Sequence, residues 1–600
     1  MKKHLIWLIL LTFSIQLTAQ QQWDTTWASL RSRPYPQWFK DAKLGIFIHW
    51  GVYSVPSVAS KEGYAEWYLK GVMSGDTGRI NYMKRYYGSL FSYFDFAPLF
   101  KAELFKPDDW AELFRRSGAK YIILTSKHHD GYCLWPSKYA RNWNSVDNGP
   151  KQDIVGELKA AVEKKGIKFG LYYSLPEWSN PLHRWTVDND RDIGPYVEQH
   201  MIPQFKELIS AYKPKVLFTD GEWNNTAEEW HARQLIAWYF NTVGDEAIVN
   251  DRWGAGSDIG FRTPEYSSGI KASDRPWAEC RGLGRSFGLN RNETLDAYMS
   301  PSDLIHFFVK AVANGGGITL NVGPGADGQI PLLQQERLIQ LGDWIKVNQE
   351  AIYGSIPYSK TEESKEVELH RIDPDIHFDW VRNSPGKPIS EDDFTASWTG
   401  YIKPSFTEEY TFEGEADDGF RLWIDNRLIL DHWVAGYTGS QSNAQDREKP
   451  DAANGKIRLK AGQKYTIRVE YIEKKQNASI TLWWYSPSRT KEVIPQSALF
   501  TTQSQPSGNG LNAVYKSQYS WLCYTVNNGN LYAISLDWPG KELVLQLPRP
   551  KAGSTISLLG YPKPLPWKYG NGKVVVDLSG IGYNDMPCQY AWTFKISGIN

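Results

Sequence analysis

Residues Thr125-Ser126-Lys127-His128-His129-Asp130-Gly131 set two histidines and an aspartate directly behind an apolar run, Tyr121-Ile122-Ile123-Leu124, of the kind that forms a buried parallel strand. The pattern recurs. Other apolar runs end in Phe47-Ile48-His49-Trp50-Gly51, Leu171-Tyr172-Tyr173-Ser174, Phe218-Thr219-Asp220-Gly221-Glu222-Trp223 and Val249-Asn250-Asp251-Arg252-Trp253, with Thr263-Pro264-Glu265-Tyr266 beyond the last. Where such strands lie parallel, their C-terminal ends converge on one pocket. Three histidines, an Asp, a Glu, an Arg and several aromatics then share it.

Three explanations compete for that set. His49, His128, His129 and Asp130 are good metal ligands by type. Adjacent side chains on an extended segment point to opposite faces, however, and no H-E-x-x-H or H-x-H spacing accompanies them, so no metal is expected. The second chemistry needs two carboxylates. Asp220 emerges from a buried strand beside Gly221, and Glu265 follows about one βα step later. A nucleophilic carboxylate paired with a carboxyl that serves as acid and then base is the retaining glycosidase arrangement, which needs about 5 to 5.5 Å between the groups. The histidines and Arg252 would then hold sugar hydroxyls while Trp and Tyr pack on the apolar sugar face. The third explanation is structural: a strand-end aspartate also caps helices and closes turns. Recurrence of polar residues at successive strand ends weighs against it.

The elements that must position these residues are readable from Leu44 to about Ile352. Strands are expected at Leu44–His49, Tyr121–Thr125, Lys168–Ser174, Val216–Asp220, Ala247–Asp251 and Gly317–Val322. Between them lie helical patterns. Pro107-Asp108-Asp109 opens one that Gly118 stops, and Asp153 caps another that ends at Gly166. Val197–Lys213, Ala227–Val243, Ser302–Ala313 and Leu332–Ala351 continue the series. So many βα units favour an α/β fold of the (β/α)8-like barrel type over an open doubly wound sheet. No glycine-rich phosphate loop follows any strand.

Beyond the barrel the periodicity switches to short alternating strands. Ser397–Ile402, Glu409–Glu415, Phe420–Ile424, Lys464–Tyr471 and Ser479–Tyr485 make an all-β module over about 366–500. A Ser/Gln/Gly/Asn-rich stretch, Thr501–Asn512, leads to a second one over 512–600, a small β-sandwich with strands at Leu531–Leu536, Glu542–Leu547, Thr555–Leu559 and Val574–Leu578.

Composition narrows the class further. Lysine plus arginine and aspartate plus glutamate number 67 each, so nothing argues for nucleic acid. The 27 Trp and 34 Tyr suit stacking on flat apolar ligands such as sugar faces, though aromatics also fill large cores. Residues 1–20, with a charged start, the apolar Leu5 to Leu17 and small residues near Ala19, have the form of a secretory signal, so a periplasmic or secreted protein is expected. No other segment approaches membrane-spanning length. Cys133, Cys280, Cys523 and Cys588 are scattered, compatible with disulfides or with buried free thiols.

Residues 21–360 resemble the catalytic domain of glycoside hydrolase family 29, the retaining α-L-fucosidases. The phrases that carry the resemblance are Gly45-Ile46-Phe47-Ile48-His49-Trp50-Gly51, Glu66-Trp67-Tyr68, Lys127-His128-His129-Asp130-Gly131-Tyr132, Asn250-Asp251-Arg252-Trp253, Arg281-Gly282-Leu283-Gly284-Arg285-Ser286-Phe287-Gly288 and Leu320-Asn321-Val322-Gly323-Pro324. The resemblance implies a cofactor-free exo-α-L-fucosidase acting on fucosylated oligosaccharides or glycoconjugates. It implies Asp220 as nucleophile and Glu265 as acid/base of the broad-specificity branch. His49, Glu66, Trp67, His128, His129, Tyr172 and Arg252 match the fucose-binding positions. Glu279 is the alternative acid, since the α-1,3/1,4-restricted branch places its acid there. Phe218 departs from the family, which often has Trp at that point, and Trp223 is the residue that can compensate. Ala416-Asp417-Asp418-Gly419-Phe420-Arg421-Leu422-Trp423-Ile424-Asp425 and Asp431-His432-Trp433 resemble a PA14 domain. That resemblance implies a possible second glycan site, and for Asp417-Asp418 either a β-turn or a calcium pair. The final segment resembles the sandwich that follows the fucosidase barrel.

Overall fold

The computed structural model describes residues 22–61, 63–183, 192–266, 273–381, 383–433, 451–475 and 477–598. The expected leader lies outside them. Seven parallel strands form the first sheet: β1 Leu44–Ile48, β2 Tyr121–Lys127, β3 Lys168–Ser174, β4 Val216–Asp220, β5 Ile248–Val249, β6 Ala278–Gly282 and β7 Gly317–Val322. Their order is β5-β4-β3-β2-β1-β7-β6. Residues 261–265 span the gap between the two ends. Asn250 bridges Phe261 on one side, while Arg262 bridges Trp277 and Glu265 bridges Cys280 on the other, all parallel. A broken eighth strand thus completes a (β/α)8-like barrel.

β1, β2, β4 and β7 are buried residue for residue, as strands sealed on both faces must be. Phe47, Tyr121, Ile123, Tyr172, Val216, Phe218, Ile248, Phe261, Ala278 and Cys280 fill the barrel interior as one cluster. The outward-facing set, with Ile46, Ile122, Leu171 and Leu217, packs against the helices. The helix over Pro107–Arg116 starts on Pro107 with Asp108 and Asp109 in its first turn. Asp153 caps Ile154–Lys164 by accepting from the Gly156 amide at 3.0 Å.

Two departures from expectation follow from local chemistry. The fifth strand, expected over Ala247–Asp251, has only two ladder residues, because the Asn250 side chain takes over the pairing. Its Oδ1 accepts from the Thr219 amide and its Nδ2 donates to the Thr219 carbonyl. The helix expected from Ala227 begins at Ala232, after a turn in which the Glu229 carboxylate accepts from the Thr226 amide.

The two β modules share one sheet. Strand Ile356–Asp373 pairs antiparallel with Leu511–Asn527 along its whole length. The part from Ser364↔Ser520 to Asp373↔Leu511 continues into Phe394–Ile402 and the PA14-like core. The part from Leu522↔Glu363 to Val526↔Ile356 continues through Asn530–Ser535 into the sandwich core. Residues Leu511 and Asn512, expected to close a linker, already belong to this strand. The sandwich seats on the barrel helices through Trp344, whose Nε1 donates to the Ala591 carbonyl, and through Tyr532 and Ile534. Cys133, Cys280, Cys523 and Cys588 are free thiols. Among the described residues no helix is long and apolar enough to cross a membrane.

Candidate active site

Asp220 is the last residue of β4 and stands, 8 % exposed, at the C-terminal mouth of the barrel. Gly221 follows with φ +85°, and a Cβ there would meet Pro176 Cδ at 2.5 Å, so only glycine lets the chain turn at this point. Asp220 Oδ1 accepts from Arg252 Nη1 at 2.9 Å, and Oδ2 accepts from the Tyr172 hydroxyl at 2.8 Å. His129 Nε2 lies 3.5 Å from Oδ2. Burial opposes ionisation of Asp220, but the Arg252 guanidinium outweighs it and holds its carboxyl well below the usual range. It is therefore a carboxylate at any ordinary pH.

Arg252 joins the two candidate catalytic groups. Its Nη2 donates to Glu265 Oε2 at 2.7 Å while Nη1 holds Asp220. Its Nε and Nη2 also donate to the Thr263 hydroxyl and carbonyl, so the guanidinium plane is fixed from the segment that carries Glu265. The other oxygen of Glu265 accepts from the Tyr64 hydroxyl at 3.3 Å. Two carboxyl groups held by one guanidinium are close neighbours in the pocket.

The three histidines surround this pair. His49 Nδ1 donates to Asn321 Oδ1 at 2.6 Å. Ser174 gives its proton to the Pro176 carbonyl, so its oxygen accepts from His129 Nδ1 and turns Nε2 towards Asp220. His128 stacks on Tyr172 at 5.5 Å and stands edge-on to His49 at 5.7 Å. Burial lowers all three pKa values, His49 to about 4, so the rings work as neutral hydrogen-bonding groups. The opposite directions expected for His128 and His129 do not occur. The β2–β3 register shifts between Thr125 and Lys127, the chain turns after Lys127, and the two rings sit 4.3 Å apart on the same pocket. Asp130 does not join them: it accepts from the Tyr93 hydroxyl and the Tyr132 amide and shapes the loop.

Glu66 is fully buried, accepting from the Gly288 amide at 2.8 Å and the Ser286 hydroxyl at 3.1 Å, and burial pushes its pKa up to about 7. Trp67 packs on Trp223 at 5.6 Å and on Trp178 at 5.2 Å, edge-on to His129. Phe218 lies inside the barrel between Phe47 and Tyr172, with Arg252 above it, while Trp223 faces His129 at 5.2 Å. Glu279 sits on β6 between Ala278 and Cys280, both of which line the barrel interior. Alternation therefore directs Glu279 to the opposite face, away from Asp220.

Glu222 was not singled out by sequence. It lies two residues past Asp220, one of its carboxyl oxygens is buried without a hydrogen-bond partner, and burial followed by the Asp220 charge pushes its pKa up to about 8. Tyr64 was missed as well, since nothing in its neighbourhood marks it as a partner of Glu265. Among the described residues no group of three or more His, Cys, Asp or Glu could hold a metal ion.

The α-L-fucosidase family model matches residues 10–350, the PA14 model residues 353–498, and the α-L-fucosidase C-terminal model residues 517–597. An α-L-fucosidase of Dictyostelium discoideum is 40 % identical over 369 residues, covering 60 % of this chain and 79 % of that one. One from Branchiostoma floridae is 38 % identical over 421 residues, covering 66 % and 91 %. The crystal structure of Thermotoga maritima α-fucosidase with a mechanism-based inhibitor superposes with a TM-score of 0.62 at 26 % identity, covering 96 % of this chain and all of that chain. A barrel whose strand ends carry this site, and a family match over more than half its length, mean that the chain belongs to the α-L-fucosidases of glycoside hydrolase family 29.

Proposed function

We propose that the protein is an exported exo-α-L-fucosidase that removes terminal α-L-fucose from oligosaccharides or glycoconjugates with retention, by double displacement. The observation that carries this reading is the single Arg252 guanidinium bonded to both Asp220 and Glu265. Asp220, permanently ionised, attacks the anomeric carbon. Glu265 gives its proton to the departing glycosidic oxygen, and a covalent glycosyl-enzyme forms. Glu265 then takes a proton from water, which displaces Asp220 and restores the starting configuration. His49, His128, His129, Tyr172 and Glu66 hold the sugar hydroxyls, and Trp67 with Trp223 covers its apolar face. Export rests on the leader-like pattern of residues 1–20. The PA14 resemblance supports a second glycan contact away from the pocket.

Asp220→Gly abolishes turnover of an aryl α-L-fucoside, and a small external nucleophile such as azide restores part of it. Near-normal turnover by that variant would overturn the assignment. Glu265→Gln slows substrates with poor leaving groups by about 10²–10⁴-fold and spares activated aryl fucosides. If Glu279→Gln shows that leaving-group pattern and Glu265→Gln does not, the linkage-restricted alternative holds instead.

A further inference from the structure

Among the described residues, the PA14-like module makes ion pairs with the barrel near the C-terminal end of β6. Its loop over 383–392 is built as a rigid ridge. Arg371 Nη1 donates to the Pro385 carbonyl at 2.7 Å, the Ser390 amide donates to Ser517 Oγ at 3.0 Å, and Ile389 is buried in the module's own core. From this ridge Lys387 Nζ extends to Asp303 at 2.9 Å, and Glu391 Oε2 accepts from Arg281 Nη2 at 3.1 Å.

Both barrel residues lie on the catalytic side. Asp303 is in the first turn of Pro301–Ala313, the helix that follows β6 and therefore begins at the end of the barrel where β6 finishes. Arg281 belongs to the end of β6 itself, with its guanidinium 5.8 Å from the Tyr266 ring. Tyr266 directly follows Glu265 and stacks on Tyr64, whose hydroxyl donates to Glu265. The ridge is thus linked through Arg281 and Tyr266 to the group assigned as acid.

An acid that protonates the leaving oxygen must lie within hydrogen-bond reach of it, so sugars beyond the scissile bond leave the pocket on the Glu265 side. We infer that the 383–392 ridge of the PA14-like module forms part of the leaving-group wall and selects for extended glycan substrates over small aglycones. This inference rests on the assignment of Glu265 above. Glu391 and Lys387 are half or more exposed, at 51 % and 74 %, so they offer charged hydrogen-bonding groups to sugar hydroxyls. Exposed ion pairs contribute at most about 1 kcal/mol. The shared two-stranded ribbon therefore sets the module's position, and substituting Glu391 or Lys387 probes the wall without unfolding the chain.

The test compares kcat/KM for a small aryl α-L-fucoside with that for a fucosylated tetrasaccharide, using the full chain and its Glu391→Arg and Lys387→Glu variants. The aryl fucoside value stays within about twofold, while the tetrasaccharide value falls about tenfold in at least one variant, mainly through KM, as expected for loss of a charge-assisted contact made equally in ground and transition states. An unchanged ratio of the two values in both variants, or an equal fall on both substrates, overturns the inference while leaving the fucosidase assignment standing. A parent chain inactive on the aryl fucoside overturns the assignment and the inference together.

Discussion

Glu222 and Asp220 stand two residues apart and are driven to opposite protonation states. Arg252 keeps Asp220 charged, while burial and that charge leave Glu222 neutral, with its pKa at about 8. Environments that split neighbouring carboxyls in this way are typical of acid/base sites. The linkage consequence has a definite sign. Folded Glu222 holds a proton that the unfolded chain, with its ordinary value of 4.5, releases as pH rises. Its contribution to stability is full below the unfolded value and is lost as pH climbs towards 8. Glu222→Gln therefore flattens the fall in melting temperature between pH 5 and pH 8, and thermal melts at the two ends check it. An unaltered pH slope would sink the idea. At this scale the sequence was legible where polar residues broke an apolar run: Asp220, His49, His128 and His129 stand at strand ends. Glu222 has the same setting, but burial of one carboxyl oxygen is a tertiary fact that residue type does not record. Glu265 was legible as a carboxyl about one βα step past Asp220, but its preference over Glu279 as the acid came through family resemblance, because the broken strand around it has no periodicity of its own.

The strand ends are held by what lies behind them. Lys127 Nζ, wholly buried, donates to Glu177 Oε1 at 2.8 Å and to Gln204 Oε1 at 3.1 Å, and His200 meets the same Glu177 oxygen at 2.8 Å. Burial opposes ionisation of Glu177, yet Lys127 and His200 hold its pKa at about 2. The Trp178 amide, next in the chain, donates to the His129 carbonyl. This ion pair is therefore the anchor of the turn that presents both histidines. Glu177→Ala strands a buried ammonium and costs about 3–5 kcal/mol, read as a lowered denaturant midpoint of the barrel's transition. A change below 1 kcal/mol would show that the anchor lies elsewhere. The buried strands β1, β2, β3, β4 and β7 were legible as continuous apolar runs. β6 was not, because Ala-Glu-Cys-Arg-Gly has a strand's alternation but charges where apolar residues were sought. The eighth position was not legible either: Phe261 to Glu265 make only isolated bridges, which leave no run to find.

At the scale of the whole molecule, the barrel, the PA14-like module and the sandwich were separable in sequence by their change of period. Their joint was not, since pairing between residues 356–373 and 511–527 is a long-range register that no local pattern encodes. Sharing that ribbon couples the two β modules. Calorimetry is expected to show them unfolding in one transition, and two resolved β-module transitions would contradict the coupling.

The ribbon also bears on how such a chain gains or loses a domain. Glu363 and Leu522 face each other across the ladder, so everything from 364 to 521 departs from and returns to adjacent points. To the sandwich, the entire module is a very long hairpin loop, and loop length adds to closure entropy only logarithmically. A short turn joining residues 363 and 522 would complete the same sandwich hairpin. The domain therefore behaves as a cassette carried on one hairpin of the sandwich.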